Sequence, residues 1–171
     1  DHRDLPSFPT RRSSDLSVGL FYLSKFLKRR YYCHTMRPFH LAFPVDNLDK
    51  TREFYTTILG CKEGRSSDSW IDFDLYGHQV VAHLVDELET VQTNLVDGDS
   101  VPASHFGVIL EMNDWNELAK RLTESGIKFI IEPHIRFKEE PGEQATMFFL
   151  DPCGYALEFK SFNRDEMIFA K

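Results

Sequence analysis

Four side chains of metal-ligating type stand at comparable places in this 171-residue chain. His40 opens the apolar run HLAFPV and His105 opens HFGVIL, while His83 lies in VVAHL and Glu158 in YALEF. Side chains alternate between the two faces of an extended segment, so each of the four can occupy one face while its apolar neighbours take the other. Imidazole and carboxylate donors make up the ligand set of a divalent transition metal. Two histidines with one carboxylate, leaving coordination positions open, suit non-haem Fe(II) and O₂ chemistry. Glu158, between Leu157 and Phe159, would be costly to bury without a partner or a metal.

Further residues could shape a substrate pocket beside such a centre. His134 and Arg136, in PHIRF, can orient an anionic substrate. Gln144 is a candidate polar group at the pocket mouth, and Phe148 a candidate wall. The loop KEEPGEQ is long, polar and Gly-bearing enough to close over a ligand. Cys153 sits in a turn with no partner histidine nearby in sequence, which assigns it no nucleophilic role.

The elements that must position these groups repeat. A strand from Pro38 leads through Asp46-Asn47, a helix N-cap, into LDKTREFYTTILG, whose apolar spacing predicts an amphipathic helix of about three turns stopped by Gly60. Three short strands follow in CKEGR, WIDFDLY and QVVAHLV, the last two joined at Gly77-His78. The order begins again at Ser104. HFGVILEM is a strand, Asn113-Asp114 a cap, and WNELAKRLTES a helix with Trp115, Leu118, Ala119 and Leu122 on one face and Gly126 as its stop. IKFIIEPHIRF, ATMFFLD and YALEFKSF then supply three strands. The fold class predicted is α+β, with two tandem βαβββ modules forming curved mixed sheets around a concave metal or ligand cup. Module one spans 37–90, a polar linker 91–103, and module two 104–162, within a domain of 36–171.

Composition narrows the function. A 42% hydrophobic chain with no apolar run approaching a membrane span reads as a soluble globular protein. Three widely spaced cysteines make neither a disulfide framework nor a cysteine zinc site, and the expected compartment is the cytoplasm. Residues 36–171 hold 13 Lys and Arg against 24 Asp and Glu, a balance that repels nucleic-acid phosphates. Residues 1–35 hold seven basic against three acidic residues. They are expected to be an extension outside the domain, non-native or disordered; residues 1–16 resemble a translated sequencing adaptor, and 17–35 read as a short amphipathic helix, a weak targeting signal or translated upstream sequence.

The strand-initial histidines, the helix DNLDKTREFYTTILG and above all F-x-x-D-P-x-G-x-x-x-E, running from Phe148 to Glu158, resemble the vicinal oxygen chelate superfamily. That superfamily includes glyoxalase I, extradiol dioxygenases, and fosfomycin- and bleomycin-resistance proteins. The stretch from Glu132 to Phe162 resembles small predicted extradiol-type dioxygenases in particular. The resemblance implies a divalent metal, Fe(II) first with Zn, Ni or Mn as alternatives, held by His40, His105 and Glu158. It also implies a small-molecule substrate with vicinal oxygens, O₂ as co-substrate, and a homodimer. Glyoxalase-like members place a fourth ligand on the last strand of module one, where this chain has His83; a non-ligating His83 would serve as an acid or base beside the metal. Phe148 stands where many extradiol dioxygenases carry a tyrosine. A lyase or isomerase with four ligands, and a metal-free binding protein, are the alternative readings.

Overall fold

Alternating apolar residues in the first half become β1 (His40–Val45), β2 (Lys62–Ser66), β3 (Trp70–Leu75) and β4 (His78–Leu84) in a computed structural model that describes residues 37–88, 92–96 and 99–170. The expected extension of residues 1–35 lies outside the described residues. The strands form a sheet in the order β1-β4-β3-β2, with β1 parallel to β4 and the other pairs antiparallel. Between β1 and β2 the chain turns through α1 (Leu48–Glu53), whose N-cap Asn47 accepts from the Lys50 N–H at 2.9 Å, as the sequence predicts. The expected three-turn helix does not continue to Gly60. It widens into a π turn at Phe54–Ile58 that buries both adjacent rings, Phe54 and Tyr55, before Gly60 reverses the chain at φ +75°.

The stretch read as a polar linker contains a hairpin, β5 (Thr93–Val96) with β6 (Asp99–Pro102); the Asp97-Gly98 dipeptide between them in sequence is a hairpin signal. The second half then repeats the order of the first: β7 (His105–Phe106), β8 (Ile109–Leu110), α2 (Met112–Glu124), β9 (Phe129–Arg136), β10 (Gln144–Leu150) and β11 (Ala156–Ser161). Here β11 pairs with β7 and β8 in parallel and with β10 antiparallel, and β9 lies outside β10. Trp115, Leu118, Ala119 and Leu122 of α2 are buried, as their spacing predicts. The start of α2 differs from expectation. Glu111 is the N-cap without a side-chain cap bond, and Asp114 falls in the first turn, where an acidic group favours the helix N-terminus. Among the described residues no helix is long and apolar enough to cross a membrane.

One core serves both modules. Phe43, Val45, Ile71, Phe73, Leu75, Val80 and Ala82 from the first sheet share a buried cluster with Ala145, Met147, Phe149, Leu157 and Phe159 from the second, and α2 residues, with Phe54 and Tyr55, belong to the same cluster. Aromatic contacts cross the junction: Phe43 lies 5.2 Å from Phe106 and 5.5 Å from Tyr155 between ring centroids, and Tyr76 lies 5.9 Å from Phe159. Each sheet therefore turns its helix-bearing face inward and its alternate residues outward.

A polar latch closes the same junction. Asp151 is 4% exposed; its Oδ1 accepts the Cys153 and Tyr155 N–H groups at 2.9 and 2.8 Å, and the buried Tyr55 hydroxyl reaches its Oδ2 at 3.4 Å. Burial pushes the Asp151 carboxyl up to about 6 despite these donors. Burial also raises the Tyr55 hydroxyl well above its ordinary range, keeping it a donor. An unfolded aspartate has a pKa of ~3.9, so between that pH and about 6 the folded chain holds a proton that the unfolded chain has released. The stability this contributes is complete below pH ~4 and is lost as pH rises through about 6, a decline on the order of 3 kcal/mol. Asp151→Asn keeps the Oδ1 acceptor and removes the titration. In urea unfolding, its stability relative to the parent should rise from pH ~4.5 to ~6.5 and level off above; a difference that does not vary with pH would count against the buried carboxyl as its source.

Candidate functional site

The outer face of the second sheet gathers most of the sequence-predicted site residues. Leu157 and Phe159 point into the core, which turns Ala156, Glu158 and Lys160 outward. Across the pairing, Glu158 stands beside Phe148, Lys160 beside Thr146, Thr146 beside His134, and Gln144 beside Arg136. Glu158, Phe148, Gln144, His134 and Arg136 thus share one face. Phe148 is buried against Val101, Ile131 and Ala156 and meets the His105 ring edge-on at 4.9 Å, so it is a wall of this face. The His134 Nδ1 is hydrogen bonded with the Glu132 carbonyl at 2.7 Å, and the Arg136 guanidinium lies 5.2 Å from the Phe137 ring centroid. The KEEPGEQ loop is tied by the Glu139 N–H donating to the Glu143 carboxylate at 2.7 Å, and the Asn163 amide donates to the same carboxylate at 3.1 Å.

His105 and Glu158 meet on this face. The His105 Nδ1 lies 2.9 Å from the Pro102 carbonyl, which can only accept, so Nδ1 carries the hydrogen. Its Nε2 then faces Glu158 Oε2 at 3.3 Å. A nitrogen lone pair and a carboxylate oxygen repel unless a proton or a metal ion stands between them, and a divalent ion suits both donors. The residues fit the implied metal on that ground. Two further groups hold Glu158 that sequence reasoning missed. Thr146 donates to Oε1 at 2.9 Å and the Lys160 ammonium lies 3.2 Å from Oε2. Their signal was available only through pairing, since both are two-residue steps from recognised positions.

The outer face of the first sheet carries the other candidates. His40 stands beside Gln79, its Nδ1 2.8 Å from the Gln79 amide oxygen. His83 stands beside Pro44 and Trp70 on the same face, four residues farther along the strands than Gln79, or roughly 13 Å at ~3.3 Å per residue. With His40 matched to His105, the pairing makes Val81 the counterpart of Glu158 and His83 the counterpart of Lys160. Because each outer face points away from the shared core, one chain brings His105 and Glu158 together but does not bring His40 or His83 to them. Among the described residues no three His, Cys, Asp or Glu side chains converge on a point. Burial raises the Cys153 thiol, which lies 3.5 Å from the Thr51 hydroxyl, and pushes Cys61 up to about 12, so both stay protonated near neutrality.

The family model described as Glyoxalase/Bleomycin resistance protein/Dioxygenase superfamily matches residues 37–159. The chain belongs to this superfamily. A crystal structure of a glyoxalase/bleomycin resistance protein/dioxygenase from Alicyclobacillus acidocaldarius is similar at 34% identity and TM-score 0.66, over 77% of this chain and 96% of that one. An integron cassette protein from the mobile metagenome of a Halifax Harbour sewage outfall is 26% identical, with TM-score 0.56, over 73% of this chain and 97% of that one. The fosfomycin resistance protein FosX from Listeria monocytogenes shares the fold at 17% identity and TM-score 0.58, over 76% of this chain and 95% of that one. The curated proteins contain no match. The superfamily includes many enzymes and also non-enzymatic binding proteins, and its members generally use divalent metals.

Gly107, between β7 and β8, is where the backbone must approach Glu158. A Cβ at this position would clash with the Glu158 carbonyl oxygen, so no other residue fits without moving β11. Gly107→Ala should cost about 1–3 kcal/mol by overpacking and displace the carboxylate from His105. Unchanged urea stability in this variant would show that the strands part freely here.

Proposed function

We propose that the protein is a metal-dependent enzyme whose centre is completed by two copies of the chain, with His105 and Glu158 from one and His40 from the other. The observation that carries this reading is the 3.3 Å approach of His105 Nε2 to Glu158 Oε2, with Nδ1 already engaged by the Pro102 carbonyl. The exposed His40 on the other outer face supplies the third donor once a twofold partner lies against it. The ion that His105, Glu158 and His40 would hold is Fe(II), which would supply a centre where adjacent substrate oxygens and O₂ meet. With three protein donors the ion would keep room for those ligands. The chain's own residues bind and orient. Phe148 excludes water from one side of the centre, Arg136 and His134 receive an anionic group of the substrate, and Gln144 offers hydrogen bonds at the rim. His83, distant from His40 along the strands, stays outside the ligand set.

A second reading has its own support. Lys160 already gives Glu158 a cationic partner at 3.2 Å, which suits a metal-free cup that binds a ligand without turnover.

Elemental analysis of anaerobically purified protein tests the two. We expect iron in the parent, in His83→Ala and in Arg136→Ala, and its loss in Glu158→Gln and in His40→Ala. Co-refolding the last two variants in equal amounts should restore about one site in four, because half of the dimers are mixed and each mixed dimer holds one intact centre. Iron retained by Glu158→Gln overturns the ligand assignment. Zinc or nickel lost with His83 points to a four-ligand lyase, and no metal in any protein points to the binding function. Failure of the mixture to regain metal places the centre within one chain.

A further inference from the structure

On the outer face of the first sheet, three polar side chains form a directed chain that ends on His40. Asp72 of β3 is 8% exposed, although its neighbours Ile71 and Phe73 are core residues and its own side chain faces outward. A carboxylate has no hydrogen to give, so the Gln79 amide must turn its NH₂ toward it, and Gln79 Nε2 donates to Asp72 Oδ2 at 3.3 Å. That orientation leaves the amide oxygen facing His40 Nδ1 at 2.8 Å. An amide oxygen only accepts, so the His40 hydrogen resides on Nδ1 and the lone pair on Nε2. Arg65 closes the far end of the chain, its Nη2 3.6 Å from the same Asp72 oxygen and its guanidinium 5.8 Å from the Trp70 ring centroid.

The alternative amide orientation shows what Asp72 contributes. A flipped Gln79 would set its oxygen against the Asp72 carboxylate and its NH₂ against His40 Nδ1. The imidazole would then carry its hydrogen on Nε2, where it cannot ligate a metal. His105 reaches the useful tautomer by another route, through the Pro102 carbonyl. Both strand-initial histidines are thus held by Nδ1 and present Nε2, with unrelated groups doing the holding.

We propose that Asp72 and Gln79 are positioning residues that fix the His40 tautomer so that Nε2 is a ready donor for a divalent metal ion. The proposal rests on the metal-centre reading above. Its first half is testable without metal. Long-range ¹H–¹⁵N NMR of the metal-free protein should find the His40 hydrogen on Nδ1. Gln79→Leu, close in size and lacking both polar atoms, should release the tautomer and lower Fe(II) affinity, measured by competition with a chelator, by about tenfold. Asp72→Asn frees the amide to flip and should give mixed tautomers. The double variant Asp72→Asn with Gln79→Glu restores the pattern, because the carboxylate then on β4 accepts from His40 while the amide then on β3 donates to that carboxylate. Recovery of both the Nδ1–H signal and the affinity in this variant is a result that a merely structural role does not give. A hydrogen on Nε2 in the parent, or an unchanged tautomer in Gln79→Leu, overturns the proposal. Tautomer control in a parent that binds no metal refutes the metal centre alone and leaves the hold on His40 established.

Discussion

The structure depends on two sheets sharing a single apolar core. Phe43 is its pivot, with Tyr55 from its own module and Phe106 and Tyr155 from the other within 5.5 Å between ring centroids. Once the helix-bearing faces meet there, strand alternation leaves no freedom for the rest. Every second residue must face outward, and Leu41, Phe43 and Val45 going in forces His40, Ala42 and Pro44 out. The polar residues that could do chemistry are the outward set of each sheet. The same geometry separates them into two surfaces, and the proposed centre joins those surfaces through a second copy.

Glu158 shows how tightly the outward set is constrained. It has only 11% of its side-chain surface exposed and is bound by Thr146, Lys160 and His105. Burial of a carboxylate at that depth requires such partners. Thr146 satisfies the oxygen away from His105, which leaves Oε2 as the atom shared by the imidazole and the ammonium. Competition for one oxygen between an internal cation and a metal is the balance on which the enzyme and binding readings differ, and Lys160 belongs to that balance as much as the histidine does.

Much of this architecture was legible in the sequence because period is a strong signal. Strands and helix faces followed from alternation, capping residues and turn glycines, while the Phe148–Glu158 pattern was read from a family resemblance. The site was legible only in part. His105, Glu158, Phe148, His134, Arg136 and Gln144 fall on one face as their parity requires, yet parity cannot measure distance along a strand. The apparent equivalence of His83 and Glu158 fails by one pleat, since Val81 occupies the matching place. That difference is set by strand pairing, which a single sequence does not reveal. Asp72, Gln79, Thr146 and Lys160 were missed for a related reason. Polar residues are common on outward faces, and only their partners across the pairing distinguish them. The π turn at Phe54 was likewise hidden, because its apolar spacing matches that of an ordinary helix.

The holding of the two strand-initial histidines argues most strongly that the outward faces serve one purpose. A carbonyl from the end of β6 fixes one, and an amide aligned by a carboxylate on β3 fixes the other. These groups come from different elements of the two modules, so module symmetry alone does not explain the shared result. Each arrangement directs an imidazole lone pair away from the protein's own core. A lone pair so directed is useful only toward a cation or a donor beyond the sheet, and the second sheet already sets a carboxylate beside it. The first sheet has no such carboxylate next to His40, where Val81 stands instead. Under the proposed reading, that exposed donor is the one a second copy brings to the pair on the other face.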